Sequence, residues 1–479
     1  MKLHREILRL AIPSILANIT VPLVGMVDIA VAGHLAADSS SAALIGGISV
    51  GTMLFDLLYW NFAFLRAGTG GLTAQAYGRA TSVIPSEVEE SPIGNILLRA
   101  LRIALLSGIA LLAVQWLVVQ GAFLVVKCSP EVRDLASQYF YIRIWAAPAT
   151  LSLFAFKGWF IGMQDSVRPM TADVLVNFLN IALSIVLATL TPLGFRGIAI
   201  GTVIAQWSGF LYCTAAVLRR YRRCFPPRGR IIGPKSVPAT ENEVRGRKIG
   251  LFSGGDGFFR MNRDLFLRSV GMIAVYIGFT VISARYGDLM LAVSTILMKL
   301  LMIFSYFTDG FAYAGEALTG RFIGEKSRDG VRSTVRQTFL WGLGVTALFM
   351  LVYGLGGRAL FGLMTSDQAV IDAGRQFIPW LLLMPLIGCP AFIWDGIYIG
   401  ATASRDLRNS TLLCAVGFFA VWFIGLALAG STASGTTGSA TPETAIHILM
   451  AAYFMHLAIR TGYLSLRSWS LPFFGGFRQ

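Results

Sequence analysis

A chain of 479 residues that is 55% apolar and only 14% charged cannot clothe two or three soluble domains, whose composition runs to roughly a quarter charged residues. The net charge of +15 would suit a nucleic-acid partner. However, the Lys and Arg residues gather between apolar segments, above all at 219–263, which marks the cytoplasmic side of a membrane protein and excludes a nucleic-acid surface.

The apolar segments run, in chain order, at 7–33, 42–72, 97–126, 135–162, 170–190, 197–218, 264–284, 289–320, 336–356, 376–402, 409–429 and 444–466. Each is near or above the roughly 20 residues that cross the hydrocarbon. The first contains Pro13 and Asp28 and lacks a convincing cleavage site, so it reads as a retained helix and not a signal peptide. Lys2, Arg5 and Arg9 precede it, and the connection at 34–43 has no Lys or Arg. The stretch 81–94 (TSVIPSEVEESPIG) is an acidic, proline-containing cytoplasmic insertion without evident chemistry. The stretch 220–263 is a basic strap between two halves, 1–219 and 264–479, whose charges suit a solvated, phospholipid-facing loop. Arg321, Lys326, Arg328, Arg332 and Arg336 crowd a later connection, whereas 431–443 has no basic residue. This alternation puts both termini in the cytoplasm. The five cysteines have no CxxC spacing and the four histidines no HExxH pair, so neither a disulfide framework nor a metal cluster is expected.

The halves repeat each other. Gly71-Leu72-Thr73-Ala74-Gln75-Ala76-Tyr77-Gly78 parallels Ala317-Leu318-Thr319-Gly320-Arg321-Phe322-Ile323-Gly324. Phe156-Lys157-Gly158-Trp159-Phe160-Ile161-Gly162 parallels Ile393-Trp394-Asp395-Gly396-Ile397-Tyr398-Ile399-Gly400. Six helices per repeat is an even number, so both repeats insert the same way up, about an axis along the membrane normal with a cavity between them. The expected fold is an all-α membrane protein of about 12 transmembrane helices in two parallel six-helix repeats.

Several motifs, in order, resemble the multidrug and toxic compound extrusion (MATE) transporters, in particular their DinF-like branch. They are Ile12-Pro13-Ser14 with Val27-Asp28 through Gly33-His34-Leu35; Tyr59-Trp60, Phe64-Leu65-Arg66 and Thr69 to Gln75; Asn262 to Arg268; and Asp309-Gly310-Phe311-Ala312 with Gly315-Glu316-Ala317. The resemblance runs to about residue 405. It implies an exporter with a cation-coupling site in the N-terminal lobe, which maps to Asp28, Asn180 and Thr202. Ser184 stands where that family has a second acid. Na⁺ wants several hard oxygens and a neutralising carboxylate, so losing one of two acids favours a proton over Na⁺ at Asp28 and Asn180.

Charges inside hydrocarbon default to cavities or partners. Lys299, Met302, Tyr306, Asp309, Tyr313 and Glu316 fall within an arc of about 100° on the eighth helix, a stripe that suits either a static ion-pair network or a substrate or proton path. Asp395 is a further candidate, since it is too short to reach the interface, whereas Lys157 at the equivalent position can snorkel to the cytoplasmic face. Arg66 is expected to pair with a carboxylate, the alternative being a place on the substrate or proton path. Tyr59, Trp60 and Phe64 could line a pocket for flat cations or form part of an aromatic belt. For Asn180, Ser184 and Thr202 the plain alternative is interhelical hydrogen bonding.

No GK[ST] follows the Gly-rich run at 67–71, so no P-loop is present and energy has to come from an ion gradient. After the second helix Gly78-Arg79-Ala80-Thr81 lacks the GxxxDR-GRR connection of major-facilitator carriers, and no nucleophile–base pair suggests an enzyme. The expected protein is a monomeric, cofactor-free antiporter of the bacterial inner membrane. It exchanges H⁺, less readily Na⁺, for amphipathic, often cationic small molecules among membrane lipids. The alternative is a flippase or exporter of organic-anion or lipid-linked cargo on the same fold.

Overall fold

The computed structural model describes residues 2–35, 41–82, 92–126, 128–225, 256–365, 367–432 and 441–468. The expected connection at 34–43, insertion at 81–94, strap at 220–263 and outer connection at 431–443 lie largely outside these residues. Among the described residues there is no strand, and twelve helices are long and apolar enough to cross a membrane. They are α1 (Lys2–Gly33), α2 (Ala43–Thr81), α3 (Ile93–Leu124), α4 (Pro130–Gly162), α5 (Val167–Thr189), α6 (Phe195–Arg220), α7 (Phe259–Ala284), α8 (Leu289–Gly324), α9 (Arg328–Met364), α10 (Gln368–Gly400), α11 (Ser404–Ala429) and α12 (Pro442–Ser468). Most run past the apolar segments because polar residues at the ends continue the helix into the interface.

Three spans are interrupted. α2 breaks at Phe62-Ala63, between helices Ser41–Asn61 and Phe64–Ser82. α4 and α10 tighten into a 3₁₀ turn at Ile144–Ala146 and Arg375–Phe377. In both, a proline (Pro148, Pro379) opens the helix that resumes, because it has no N–H to give to the previous turn.

The two halves pack alike. α2 lies on α4, α4 on α3 and α6, and α5 on α6. In the second half α8 lies on α10, α10 on α9 and α12, and α11 on α12. Phe55, Tyr139, Phe140 and Ile198, then Phe156, Trp159 and Phe160, fill the first half. Phe304, Phe349, Tyr353, Leu381 and Phe418 fill the second. The outer faces are the reverse of a soluble protein's: Leu106, Trp116, Leu117, Leu355, Leu363 and Phe423 are all exposed, an apolar coat that suits lipid.

α1 and α2 of the first half pack on α8 of the second; Leu10 and Ala11 of α1, Ile161 of α4, and Phe311 and Leu318 of α8 form one apolar cluster there. At the end of the molecule where α1 begins and α12 finishes, called here the basic end, the halves close on each other. A Cβ at Gly71 would fall within 3.0 Å of the Ile399 oxygen, one at Gly78 within 3.0 Å of the Arg321 backbone, and one at Gly324 within 3.0 Å of the Gln75 oxygen. Only glycine permits that approach. Gln75 Nε2 donates to the Gly400 oxygen (3.0 Å) and Thr402 Oγ1 (3.2 Å), and Gln164 Nε2 donates to the Ala317 oxygen (2.7 Å).

The same turn ends α4, α8 and α10. Its left-handed residue is Gln164 (φ 61°), Lys326 (φ 56°) and Thr402 (φ 55°). The next residue's N–H reaches back to the oxygens of Phe160, Phe322 and Tyr398, the six-to-one bond of a Schellman cap.

Candidate functional site

α1, α5 and α6 bring the mapped residues of the first lobe together. Asp28 is 5% exposed, Asn180 2%, Ser184 0% and Thr202 4%. Asn180 Nδ2 donates to Thr202 Oγ1 at 2.8 Å, and Thr202 Oγ1 donates to the Ile198 oxygen at 3.1 Å. The Ser184 hydroxyl stands between the Ile198 oxygen (3.5 Å) and the Asp28 carboxylate. Asp28 Oδ1 and Asn180 Oδ1 are buried without a hydrogen-bond donor among the described residues. Buried acceptors of this kind are costly in an apolar lobe.

The sequence suggested no cationic neighbour for Asp28. Arg143 of α4 corrects this, because its charge bears on Asp28 and on Asp56 of α2. Arg143 donates to Tyr139 Oη (2.9 Å) and Thr52 Oγ1 (3.4 Å) and lies 4.7 Å from the centre of the Phe55 ring. It directly precedes the 3₁₀ turn of α4, in the first third of the apolar segment 135–162. Tyr59 belongs to this lobe: its ring lies 5.4 Å from Phe55 and its hydroxyl is buried. Trp60 turns the other way, onto Tyr276 of α7 at 5.0 Å, so the two do not form one aromatic pocket.

In the second lobe a cavity of about 320 Å³ is walled by α2, α7, α8, α10 and α12. It holds three guanidiniums (Arg66, Arg268, Arg460) and three carboxylates (Asp309, Glu316, Asp395), so its formal charge is zero. Arg66 Nη1 meets Glu316 Oε2 at 3.1 Å, across the junction of the lobes, and its guanidinium lies 4.4 Å from the Tyr313 ring centre. Asp395 receives two arginines, Arg268 and Arg460, of which Arg460 is 1% exposed. Asp309 is half-buried on the wall and, among the described residues, has no ion pair. Burying so many charges is tolerable only because they neutralise one another.

The stripe on α8 therefore divides. Met302, Asp309, Tyr313 and Glu316 line the cavity, whereas Lys299 and Tyr306 do not. The stripe drifts by about 100° from end to end at 3.6 residues per turn. Lys299 is exposed, and its charge is felt at Asp56 of α2. The Tyr306 backbone oxygen accepts from Asn18 Nδ2 of α1 at 3.4 Å. Lys157, expected at the interface, pairs with Asp173 of α5 at 2.5 Å. Sequence reasoning missed Arg143, Asp56 and Arg460. Each is a charge set within an apolar run, which was the available signal. No group of three metal-ligating side chains occurs among the described residues.

A family model described as MatE matches residues 13–186 and 265–424. The DNA damage-inducible protein F of Escherichia coli (strain K12) is 34% identical over 415 residues, 85% of this chain and 83% of that one. A probable multidrug resistance protein NorM of Photorhabdus laumondii is 24% identical, covering 88% and 86%. Among solved structures, a MATE protein in the bent conformation aligns with a TM-score of 0.78 at 16% identity over 98% of this chain and 97% of that one.

Proposed function

This chain belongs to the MATE family of multidrug and toxic compound efflux transporters, and on that premise we propose that it couples proton entry at Asp28 to the export of amphipathic, often cationic small molecules through the second-lobe cavity. The observation that carries the reading is Asp28 Oδ1, buried with no hydrogen-bond partner among the described residues in the lobe that also holds Asn180, Ser184 and Thr202. A proton needs a single carboxylate oxygen. Na⁺ needs several oxygens and a carboxylate free to neutralise it, but the one carboxylate here already faces Arg143, and Thr202 Oγ1 is engaged by Asn180 and Ile198. Asp309, with no ion pair of its own among the described residues and flanked by Tyr313 and Met302, is the cavity's acceptor for a cationic group.

The lobes 1–219 and 264–479 rock so that the Gln75 and Gln164 contacts at the basic end form and break, with the chain acting as a monomer. The basic end lies in the cytoplasm with both termini, following the Lys and Arg asymmetry, in a bacterial inner membrane like that of its bacterial relatives. Coupling requires ion and substrate to bind the two states unequally.

The test is substrate efflux from proteoliposomes under separate proton and Na⁺ gradients. Asp28→Asn, which mimics the protonated carboxylate, should abolish proton-driven efflux while the protein stays folded. Full proton-driven activity in that variant would move the coupling site to Asp309. A second reading, export of organic anions, draws on the two arginines held by Asp395, and paired anionic and cationic dyes in the same assay separate the two.

A further inference from the structure

At the basic end, away from both lobe sites, a crevice of about 600 Å³ opens where α1, α5, α6 and α8 meet. Arginines enter it from all four helices: Arg9, Arg168, Arg220 and Arg321. A positive cytoplasmic face accounts for basic residues in general, but not for their convergence on one crevice across the junction of the lobes.

The carboxylates present are already engaged. Asp165 accepts from the Tyr221 hydroxyl (2.6 Å) and the Arg168 N–H (3.3 Å), with Arg168 Nε at 3.9 Å. Burial and that carboxylate hold the Tyr221 hydroxyl well above its ordinary pKa, so it stays a neutral donor. Glu6 meets Arg321 at 3.4 Å, and Glu325 meets it at 2.8 Å. Arg9 and Arg220 have no carboxylate within ion-pair distance among the described residues. Two further features point at a ligand. The 23-residue helix α5 starts here, presenting the positive end of its dipole. Ser166, its N-cap, lies on the crevice wall and is 2% exposed, and its Oγ has no hydrogen-bond partner among the described residues. Guanidiniums, a helix N-terminus and a spare hydroxyl together match a phosphate group in geometry and charge.

We propose that this crevice binds a phosphate-bearing anion, carried either by the headgroup of an anionic phospholipid or by a soluble phosphate. The bound phosphate links Arg9 and Arg220 of the first lobe to Arg321 of the second and so holds the basic end shut. That the lipid would come from the inner leaflet rests on the orientation proposed above. The binding itself does not, because it is read on purified protein without transport.

The experiment measures thermal unfolding and binding of the full-length protein in neutral detergent at low salt. The additions are short-chain phosphatidylglycerol, phosphatidylcholine or inorganic phosphate. Phosphatidylglycerol alone raising Tm assigns the site to a lipid headgroup, and inorganic phosphate raising it as well assigns it to the phosphate itself. Either result supports the proposal if Arg9→Gln/Arg220→Gln weakens binding roughly thirtyfold, as expected for the loss of two charge contacts. Ser166→Ala should weaken it less, and Arg358→Gln, at an exposed ion pair elsewhere, should leave it unchanged. No shift with either anion, or an equal shift in the double variant and the parent, overturns the site.

Discussion

Replacing Gly78 by alanine tests whether the basic end is a closed gate or only a packed surface. The new Cβ would lie 2.8 Å from the Arg321 carbonyl carbon and 3.0 Å from its Cα, with the oxygen nearer still. Ordinary contact begins at 3.4 Å, so α2 and α8 must part by at least 0.6 Å (3.4 − 2.8), and neither atom belongs to a side chain that can rotate away. Overpacking of this kind costs about 1–3 kcal/mol. Since about 1.4 kcal/mol is a factor of ten, the closed basic end should become roughly 5- to 150-fold less favoured. Gly396→Ala is the control: its Cβ would meet the Ala312 backbone inside 3.0 Å, a contact of α10 with α8 within one lobe. Hydrogen exchange followed by mass spectrometry over 71–82 and 317–327 reads the difference. Gly78→Ala should speed exchange there with little change in Tm, whereas Gly396→Ala should lower Tm and leave the ratio between the two ends alone. Equal behaviour of the two variants would refute the idea that this contact is the one that opens.

Other outcomes follow from the charge pattern. Arg460→Met leaves the buried Asp395 with one arginine and should lower stability by about 3 kcal/mol in thermal unfolding, against less than ~0.5 kcal/mol for Arg358→Gln at its exposed pair. Asp309→Asn should weaken binding of a cationic dye about tenfold or more, as loss of a charge-assisted contact does, and spare a neutral one, read by fluorescence titration; equal losses for both would argue against a charge role. Ser184→Asp supplies the second carboxylate and should create a Na⁺-dependent rise in Tm that the parent lacks. If Na⁺ already stabilises the parent, the proton assignment at Asp28 fails.

The spans were legible because lipid demands about twenty apolar residues in a row, and the repeat because Gly71 to Gly78 and Gly158 to Gly162 carry close backbone contacts that reappear at 317–324 and 396–400. Pairings across the chain were harder to read. That Arg66 would meet a carboxylate was foreseeable from the cost of a bare charge. Which carboxylate it meets depends on the break at Phe62-Ala63, which hydropathy does not register. Arg143 was overlooked because it lies in a segment otherwise apolar enough to pass as lipid-facing, and Arg460 because the last two helices offered hydropathy alone. The α8 stripe was found but taken as one surface, because a helical-wheel arc does not say that neighbouring helices divide it between a cavity and a cleft. Ser184 shows the reverse: a single replaced side chain was visible at once, and its consequence for the coupling ion is chemical.

The left-handed turns at Gln164, Lys326 and Thr402 suggest where the polypeptide can be interrupted. Three of the four equivalent corners keep the same tight cap. At the fourth, after Gly78, the sequence instead carries the acidic stretch 81–94, which makes that connection longer than the other three. A fluorescent domain or affinity peptide spliced there would join a place the repeat has ceased to use, whereas the same graft at Thr402 would pull Gln75 off the opposite half. The wear in the symmetry thus marks a practical handle for labelling the protein.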